Sequence, residues 1–272
     1  MQRTLFPSPS PRVAVIGAGA MARALATGLA AGDPPVRIGA VLSRRPPASP
    51  AFGGMAACAD AAGLLAWRPQ LVVECAGHGA VRDLVPACLA AGIDCIIASA
   101  GALADLAVLA ELRAAARRGL ARLVVPAGAL GGLDALAAAR LGGLTAVTYR
   151  GSKPPAAWKG TAAEAACDLD ALDRPAVVFE GSAAEAASRF PRNANVVAAL
   201  ALAGLGPEAT RVTLVADPGA TANIHRVEAE GAFGRLVFET QNEPLPDNPR
   251  TSHLAALSLQ HAVLDHVATL MP

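Results

Sequence analysis

Two glycines near the start of the chain, Gly17 and Gly19, are spaced as in loops that bind a dinucleotide. They follow the apolar run Val13–Ile16, and Ala22 takes the place of a third small residue. Gly17 permits the sharp turn out of a strand, Gly19 has no Cβ to block a pyrophosphate, and Ala22 lets the next helix pack closely. The helix N-terminus offers unpaired N–H groups and the positive end of its dipole to the phosphates. We predict that the cofactor contacts in this turn come from Gly17, Gly19, Ala20 and Met21.

The end of the second predicted strand bears on which dinucleotide the chain would bind. It reads Ser43-Arg44-Arg45, where proteins selective for NAD usually carry a carboxylate. A hydroxyl and a guanidinium can bind the 2′-phosphate of NADP through charge-assisted hydrogen bonds. We predict contacts from Ser43 and Arg44, with NADP permitted and NAD not excluded. The alternative is that the two arginines only solvate a loop.

A second turn of small residues follows the strand-like run Leu71–Cys75. It reads Ala76-Gly77-His78-Gly79, at the carboxyl edge of the predicted sheet, where the nicotinamide half of a cofactor would lie. Small residues there would let the cofactor pass, so Ala76 and Gly77 are predicted contacts. His78 opens a helix, and a histidine in that position more often caps the helix or contacts a ribose than performs catalysis.

Lysine occurs in a single short stretch of the chain. Of the 23 basic residues only Lys153 and Lys159 are lysines, and arginine serves everywhere else. Gly160-Thr161-Ala162 then begins a predicted helix, and a helix start preceded by lysines is suited to bind an anion. The alternative is that one or both lysines are solvated loop residues.

Composition and charge argue against several classes of protein. No uncharged apolar run reaches the 18 or so residues that span a bilayer, and residues 1–12 lack the apolar stretch of a signal peptide, so we expect a cytoplasmic protein. The net charge of +1 gives no basic surface for nucleic acid or membranes. The five cysteines lack CxxC spacing, so we predict neither a disulfide framework nor a metal site.

The order of predicted elements changes near residue 126. Before it, apolar strands alternate with helices, which predicts a doubly wound parallel sheet. After it, strands follow one another without intervening helices, which predicts a partly antiparallel sheet. We therefore predict an α/β fold with a Rossmann dinucleotide-binding domain over residues 1–126 and an α+β domain on a mixed sheet over residues 127–245. Residues 246–272 would form a C-terminal helix that packs back on the first domain.

Several local predictions concern individual elements. One helix is expected from the turn at His78 through Ala91, and another over Ala194–Ala203 with Asn193 as its cap. Pro244–Ser252 is predicted to be a loop, and His253–Leu270 a helix.

Long motifs make the chain resemble the L-aspartate dehydrogenase family over nearly its whole length. They read VIGAGAMA, ECAGHGAV, PAGALGGLDAL, YRGSKPPAAWKGTAAE, VVFEGSAAEAASRFPRNANVVAALALAG, ADPGATANIHRVEAEGAFG and NEPLPDNPRTSHLAALS. The resemblance implies a Rossmann domain with a second α/β domain. It also implies NAD(P)-dependent oxidative deamination of L-aspartate, through iminoaspartate to oxaloacetate and ammonia, and the reverse reductive amination. In some organisms the family supplies iminoaspartate for NAD biosynthesis.

The resemblance also implies roles for individual residues. The family's catalytic histidine falls on His225, and its contacts near the nicotinamide fall on Ala129 and Asn195. A neutral imidazole could take a proton from the substrate ammonium or activate the water that attacks the imine. The substrate has two carboxylates that need cations or N–H donors, and the candidates are Lys153, Lys159, Thr161 and Arg192.

Two other functions remain open from the sequence. A related reductase acting on dihydrodipicolinate or on an aspartate-pathway aldehyde would share the fold, but the paired histidines typical of the dihydrodipicolinate enzymes are missing. A sensor would bind NAD(P)H without turnover. We also expect a homodimer, because an apolar sheet in the second domain could pair across a two-fold axis.

Overall fold

The computed structural model describes residues 11–33, 35–45, 49–191 and 193–267. The chain divides into two compact units. The first contains the described residues up to Ser99, then Ala107–Val125 and the residues from Leu259 onward. The second contains Ala100–Leu106 and Pro126–Ser258. The sequence put the whole of residues 1–126 in the first domain, whereas Ala100–Leu106 groups with the second unit because its 3₁₀ turn packs on a helix there.

The first unit is built on a parallel sheet of six strands in the order β3-β2-β1-β4-β5-β6. This arrangement confirms the predicted Rossmann fold. The strands are β1 Val13–Ile16, β2 Ile38–Leu42, β3 Ala56–Cys58, β4 Leu71–Glu74, β5 Asp94–Ile97 and β6 Leu123–Val124. The helices that begin in or near this unit are α1 Ala20–Ala30, α2 Ala61–Ala66, α3 His78–Asp83, α4 Val85–Ala90 and α5 Leu106–Gly119.

The single helix expected through Ala91 is two helices, α3 and α4. Pro86 lies in the first turn of α4, where its missing N–H is tolerated, but its ring would clash with a carbonyl one turn earlier in a continuous helix. The break therefore falls just before it, at Leu84. The prediction also missed β3 and α2, which lie in an Ala/Gly-rich stretch without a clear apolar period. Asp60 starts α2 by accepting a hydrogen bond from the Gly63 N–H at 2.8 Å.

The last helix, α9 His253–Val267, contributes its second half to the core of the first unit. Leu259 and Val263 are fully buried there with residues of β1, β4 and α1. The Gln260 amide donates to the Ala24 carbonyl at 3.2 Å, and a Cβ on Gly28 would lie within 2.4 Å of the Gln260 amide group. Glycine at position 28 is therefore what lets the two helices approach. The expected helix residues beyond Val267 lie outside the described residues.

The second unit is built on a mixed sheet of five strands in the order β11-β10-β7-β9-β8. Neighbouring strands are antiparallel except β7 and β9, which are parallel, and this confirms the predicted mixed sheet. The strands are β7 Leu144–Lys153, β8 Ala176–Ser182, β9 Arg211–Ala216, β10 Asn223–Gly231 and β11 Gly234–Asn242. Its helices are α6 Leu133–Leu141, α7 Ala183–Arg189 and α8 Ala194–Ala203.

The two faces of this sheet differ in chemistry. On one face Val147, Leu214 and Val227 are buried in a core shared with the helices. On the other, Arg226 pairs with Glu228 at 2.9 Å, and Arg235 also pairs with Glu228. The apolar face of the sheet is therefore covered by helices of the same unit and is not free to pair with a second copy, while the opposite face carries ion pairs.

The segment predicted as a loop between β11 and α9 contains a two-stranded ribbon, formed by β12 Pro244–Leu245 and β13 Asn248–Ser252. Its prolines and asparagine hid the strand pattern, so the loop prediction was wrong there. Within the described part of the chain, no helix has the length and apolarity to cross a membrane. The same residues hold no group of three or more side chains of the kinds that bind metal ions.

Candidate active site

His225 lies in the middle of the second unit on β10, and only 2% of its surface is exposed. Its Nδ1 lies 2.7 Å from the phenolic oxygen of Tyr149 on β7. Its Nε2 is buried and has no hydrogen-bond partner among the described residues. A buried polar atom without a partner is rare and calls for an explanation. One nitrogen of this imidazole is thus held by the protein, and the other is left for something else.

The register of the sheet explains how Tyr149 reaches the imidazole. Gly151 is directly opposite His225, and Tyr149 is opposite Val227, so the phenol must extend diagonally across the position of residue 151. A Cβ on Gly151 would lie 2.5 Å from the phenolic oxygen. Because residue 151 has no side chain, the phenol can occupy that space and meet Nδ1.

Burial controls the charge of both rings. Burial and, to a smaller extent, the charge of Lys153 together lower the pKa of His225 to about 3. Burial also raises the pKa of the Tyr149 phenol above its ordinary value. Both side chains are therefore uncharged near neutral pH. The site presents a neutral imidazole, not an imidazolium.

Lys153 ends β7 and is the lysine whose charge acts on His225. Its Nζ donates to Oδ1 of Asn193 at 3.2 Å and lies 5.6 Å from the centre of the Trp158 ring. Burial lowers the pKa of its ammonium to about 8. Asn193 occupies the position before α8, but its side chain does not cap the helix. The predicted cap position is therefore confirmed, but the Asn193 side-chain oxygen accepts from Lys153 and not from a helix N–H.

Lys159 is much more exposed than Lys153, although only six positions separate them in the chain. Its side chain is 51% exposed, and its Nζ lies 2.5 Å from Oδ1 of Asp170, which raises the pKa of the Lys159 ammonium. The helix predicted after it is a 3₁₀ turn of four residues, Ala162–Ala165. The helix N-terminus that was to strengthen an anion site is therefore missing, and substrate binding by Lys159 stays a prediction with less support.

Thr161 caps that turn and also lines a small pocket. Its hydroxyl donates to the Trp158 carbonyl at 2.5 Å and accepts from the Ala163 N–H at 3.2 Å. The pocket has a volume of about 300 Å³, and Arg189 and Asn193 also line it. The fourth predicted substrate residue, Arg192, lies outside the described residues.

Ala129 and Asn195 are both fixed by hydrogen bonds within the second unit. The Ala129 carbonyl accepts from the Thr240 hydroxyl and from the Asn242 amide, each at 2.8 Å. The Asn195 side-chain oxygen accepts from the Gly101 N–H at 2.8 Å. Thr240 is opposite His225 in the sheet, so the Ala129 loop is tied to the strand beside the imidazole. Nicotinamide contact by Ala129 and Asn195 stays a prediction.

The glycine turn of the first unit has the geometry that a dinucleotide requires. Gly17 has a φ of +106°, and a Cβ there would lie 2.8 Å from the Cys75 carbonyl oxygen. A Cβ on Gly19 would meet no atom within 4 Å, so the space above this backbone is open. Ala22, in the first turn of α1, is fully buried. Ala20 and Met21 begin that helix, where N–H groups are free to meet an anion. The turn therefore fits a pyrophosphate.

Ser43 and Arg44, the predicted contacts at the end of β2, differ in whether they have a hydrogen left to donate to a cofactor. Ser43 donates its hydroxyl hydrogen to the Arg45 carbonyl at 2.5 Å, so its oxygen is left as an acceptor. The Arg44 side chain is exposed. In this arrangement Arg44 is the better candidate to donate to a 2′-phosphate.

Glu74, at the end of β4, is a functional candidate that the sequence reading missed. Its buried carboxylate accepts from the N–H groups of Ala76 at 2.6 Å, Gly77 at 2.7 Å and Ser99 at 3.1 Å. The Ser99 hydroxyl adds a fourth bond at 3.1 Å. Burial raises the pKa of this carboxyl, and the hydrogen bonds oppose that rise. A glutamate inside the apolar run Leu71–Cys75 was the available signal.

Glu74 also changes what Ala76 and Gly77 can do. Their N–H groups are already used by the carboxylate, so a cofactor would meet their Cα and carbonyl atoms. His78 begins the six-residue helix α3 and is only partly buried. Its low rank as a catalytic residue stays a prediction.

Comparison with known proteins assigns both units. The C-terminal domain of aspartate dehydrogenase matches residues 134–266, and the NAD-binding domain of homoserine dehydrogenase matches residues 17–126. The L-aspartate dehydrogenase of Ruegeria pomeroyi is 48% identical over 263 residues, which cover 96% of this chain and 94% of the relative. The chain belongs to the L-aspartate dehydrogenase family. The resemblance seen in the motifs is thus confirmed.

Other relatives agree with this assignment. The L-aspartate dehydrogenase of Ralstonia nicotianae is 56% identical over 196 residues, covering 72% of this chain and 73% of the relative. Among solved structures, aspartate dehydrogenase from Thermotoga maritima superposes with a TM-score of 0.77 at 28% identity, covering 96% and 99% of the two chains. A homoserine dehydrogenase from a hyperthermophilic archaeon, with a TM-score of 0.61 at 11% identity, shares the fold alone. These matches do not favour the reductase and sensor alternatives.

Proposed function

We propose that this chain is an NAD(P)-dependent L-aspartate dehydrogenase, which converts L-aspartate and water to oxaloacetate and ammonia and also runs in reverse. The observation that carries the proposal is the buried Nε2 of His225, which has no hydrogen-bond partner among the described residues and lies in the unit that matches the aspartate dehydrogenase C-terminal domain. The open Gly17–Gly19 turn fits the dinucleotide. When bound, the nicotinamide supplies a hydride acceptor for the substrate Cα.

The residues of the second unit would bind and orient the substrate. Below pH 8 Lys153 is a buried cation whose pKa of about 8 keeps it charged, so it is suited to bind a substrate carboxylate. Asn193 holds its Nζ, which fixes the direction of the charge. His225 would place Nε2 at the carbon where nitrogen and oxygen exchange. The dry surroundings strengthen both interactions.

We also propose a homodimer, with a second copy of the chain as partner. Its support is the exposed apolar side chains on the two edge strands of the mixed sheet, Val177 and Val237. Light scattering at the concentrations of an activity assay tests this, with a dimer mass expected. A monomer mass at those concentrations would contradict the proposal.

A spectrophotometric assay of the purified chain tests the function. L-Aspartate with NAD⁺ or NADP⁺ should produce the reduced cofactor, and oxaloacetate with ammonia should consume it. L-Glutamate and L-alanine serve as matched controls, since one lengthens and the other removes the second carboxylate arm. Binding of NAD(P)H without turnover of either pair would favour a sensor. Activity on the controls but not on aspartate would move the substrate to another amino acid.

A further inference from the structure

The hydrogen bond between Tyr149 and His225 determines which nitrogen of the imidazole carries the hydrogen. A phenol has one hydrogen and an uncharged imidazole has one. In one arrangement the phenol donates to Nδ1 and the imidazole hydrogen lies on Nε2. In the other, Nδ1–H donates to the phenol oxygen and Nε2 is bare. The 2.7 Å distance fits both, so the choice depends on what else each hydrogen can reach.

Within the described residues, His225 is the one hydrogen-bond partner of the Tyr149 hydroxyl. If Nδ1 donated to it, the phenolic hydrogen would have no acceptor in a buried site. Nε2 would also be without a partner, as it is in either case. That arrangement leaves one more buried polar group unpaired, and such groups are strongly disfavoured.

We infer that Tyr149 donates its hydrogen to Nδ1 of His225 and so holds the imidazole in the tautomer with its hydrogen on Nε2. Tyr149 is then a positioning residue, and Gly151 is the gap that lets it act. The uncharged state that burial gives both rings is consistent with this arrangement. The two ring planes lie 17° apart with their centroids 6.0 Å apart, so the imidazole is held nearly parallel to the phenol ring.

The consequence for catalysis depends on the proposed function. An Nε2–H donates a hydrogen bond and accepts no proton. In the amination direction His225 would therefore polarise the keto oxygen of oxaloacetate. In the deamination direction it would donate to the hydroxyl oxygen that forms on the same carbon when water adds to the imine. A neutral imidazole that donates is a known way to stabilise charge on a carbonyl oxygen. This replaces the proton-accepting role that the sequence suggested for His225.

Nitrogen-15 NMR of the uniformly histidine-labelled protein tests the tautomer directly. The His225 signal is assigned by its loss in His225→Gln, and exposed His261 serves as the reference for a solvated ring. We expect the Nε2–H pattern for His225 near neutral pH. In Tyr149→Phe, which removes only the phenolic oxygen, the pattern should shift toward a mixture, and kcat should fall about tenfold. An Nδ1–H pattern in the wild type, or an unchanged pattern in Tyr149→Phe, would overturn the inference.

Two further variants test the same point without depending on Tyr149→Phe. Gly151→Ala places a methyl against the phenol oxygen and should also disturb the His225 pattern. His225→Gln keeps an N–H donor near the Nε2 position, so it should retain at least tenfold more kcat than His225→Ala. Equal activity of the two would favour a proton-accepting role. The tautomer can be read without turnover, so failure of this inference and failure of the aspartate assay remain distinguishable.

Discussion

In the first unit the turn after β1 presents bare backbone, whereas in the second unit β7 and β10 present buried side chains. Gly17 and Gly19 matter because they lack a Cβ, and the nearby Glu74 carboxylate is consumed in holding its own loop. His225 and Lys153 matter because burial has shifted the pKa of each. A dinucleotide is bound by the shape of the turn and by backbone N–H groups, which small residues at the right spacing supply. Discrimination and chemistry at a small dicarboxylate need side chains whose charge the interior controls.

His225→Ala should have the largest effect, because among the described residues His225 is the side chain whose buried polar atom has no hydrogen-bond partner. A hydrogen-bond donor directed at the oxygen where charge develops typically contributes about 10²–10³-fold in rate, so we expect kcat to fall by that factor. Cofactor affinity and the fold should be nearly unchanged. His78→Ala, in the first unit, is the comparison and should affect kcat less. An inactive His78→Ala together with an active His225→Ala would place the catalytic side chain in the first unit.

Lys153→Met and Lys159→Met test whether burial is what separates a binding lysine from a surface one. Loss of the charge at position 153 should lower kcat/KM for aspartate by roughly 10- to 100-fold, the range for a hydrogen bond to a charged group, with NAD(P)H affinity intact. Lys159→Met should stay within about twofold, because exposed ion pairs such as that with Asp170 contribute little. Steady-state kinetics of both variants decide this. Equal losses would show that Lys159 also binds the substrate.

Arg44→Ala tests the charged side chain at the end of β2 that is predicted to contact a cofactor. If it binds the 2′-phosphate, NADP(H) binding should weaken by about 1–3 kcal/mol, while NAD(H) binding stays as it was. Fluorescence titration with the two reduced cofactors measures the difference. Equal weakening of NAD(H) and NADP(H) binding would show that Arg44 does not bind the 2′-phosphate.

The pH dependence of stability tests whether the second unit keeps His225 dry. The imidazole has an ordinary pKa of 6.5 in the unfolded chain and about 3 in the folded one. As the pH falls below 6.5 the unfolded state binds this proton first, so the folded state loses stability down to about pH 3. At pH 5.5 the loss is about 1 kcal/mol.

Denaturant unfolding of the wild type and of His225→Asn, at pH 7 and pH 5.5, isolates that contribution. The difference between the two pH values should be smaller in the variant by about this amount. Identical pH dependence would mean that water reaches the imidazole in the second unit, as it reaches the open turn in the first.

Local sequence was sufficient wherever an element carried its own period or caps. Helix α8 has the predicted bounds, since a mainly apolar stretch between turn residues allows few alternatives. The β12–β13 ribbon was missed because its prolines and asparagine hide the strand pattern. Asn193 shows that local sequence does not determine side-chain partners. It has a residue type typical of helix caps, yet its side chain binds Lys153, which is distant in sequence and close in space.

The sequence by itself determined the family, the alternation that produces the parallel sheet, and the glycines of the dinucleotide turn, because these depend on residue type and short spacing. Only the tertiary structure could decide which lysine is buried, that Glu74 holds its loop, and that Tyr149 meets His225 over Gly151. Each of these depends on burial and on contacts between residues 25 to 76 positions apart in the chain. The pKa of a group and the tautomer of a ring follow from such surroundings, which a linear sequence does not specify.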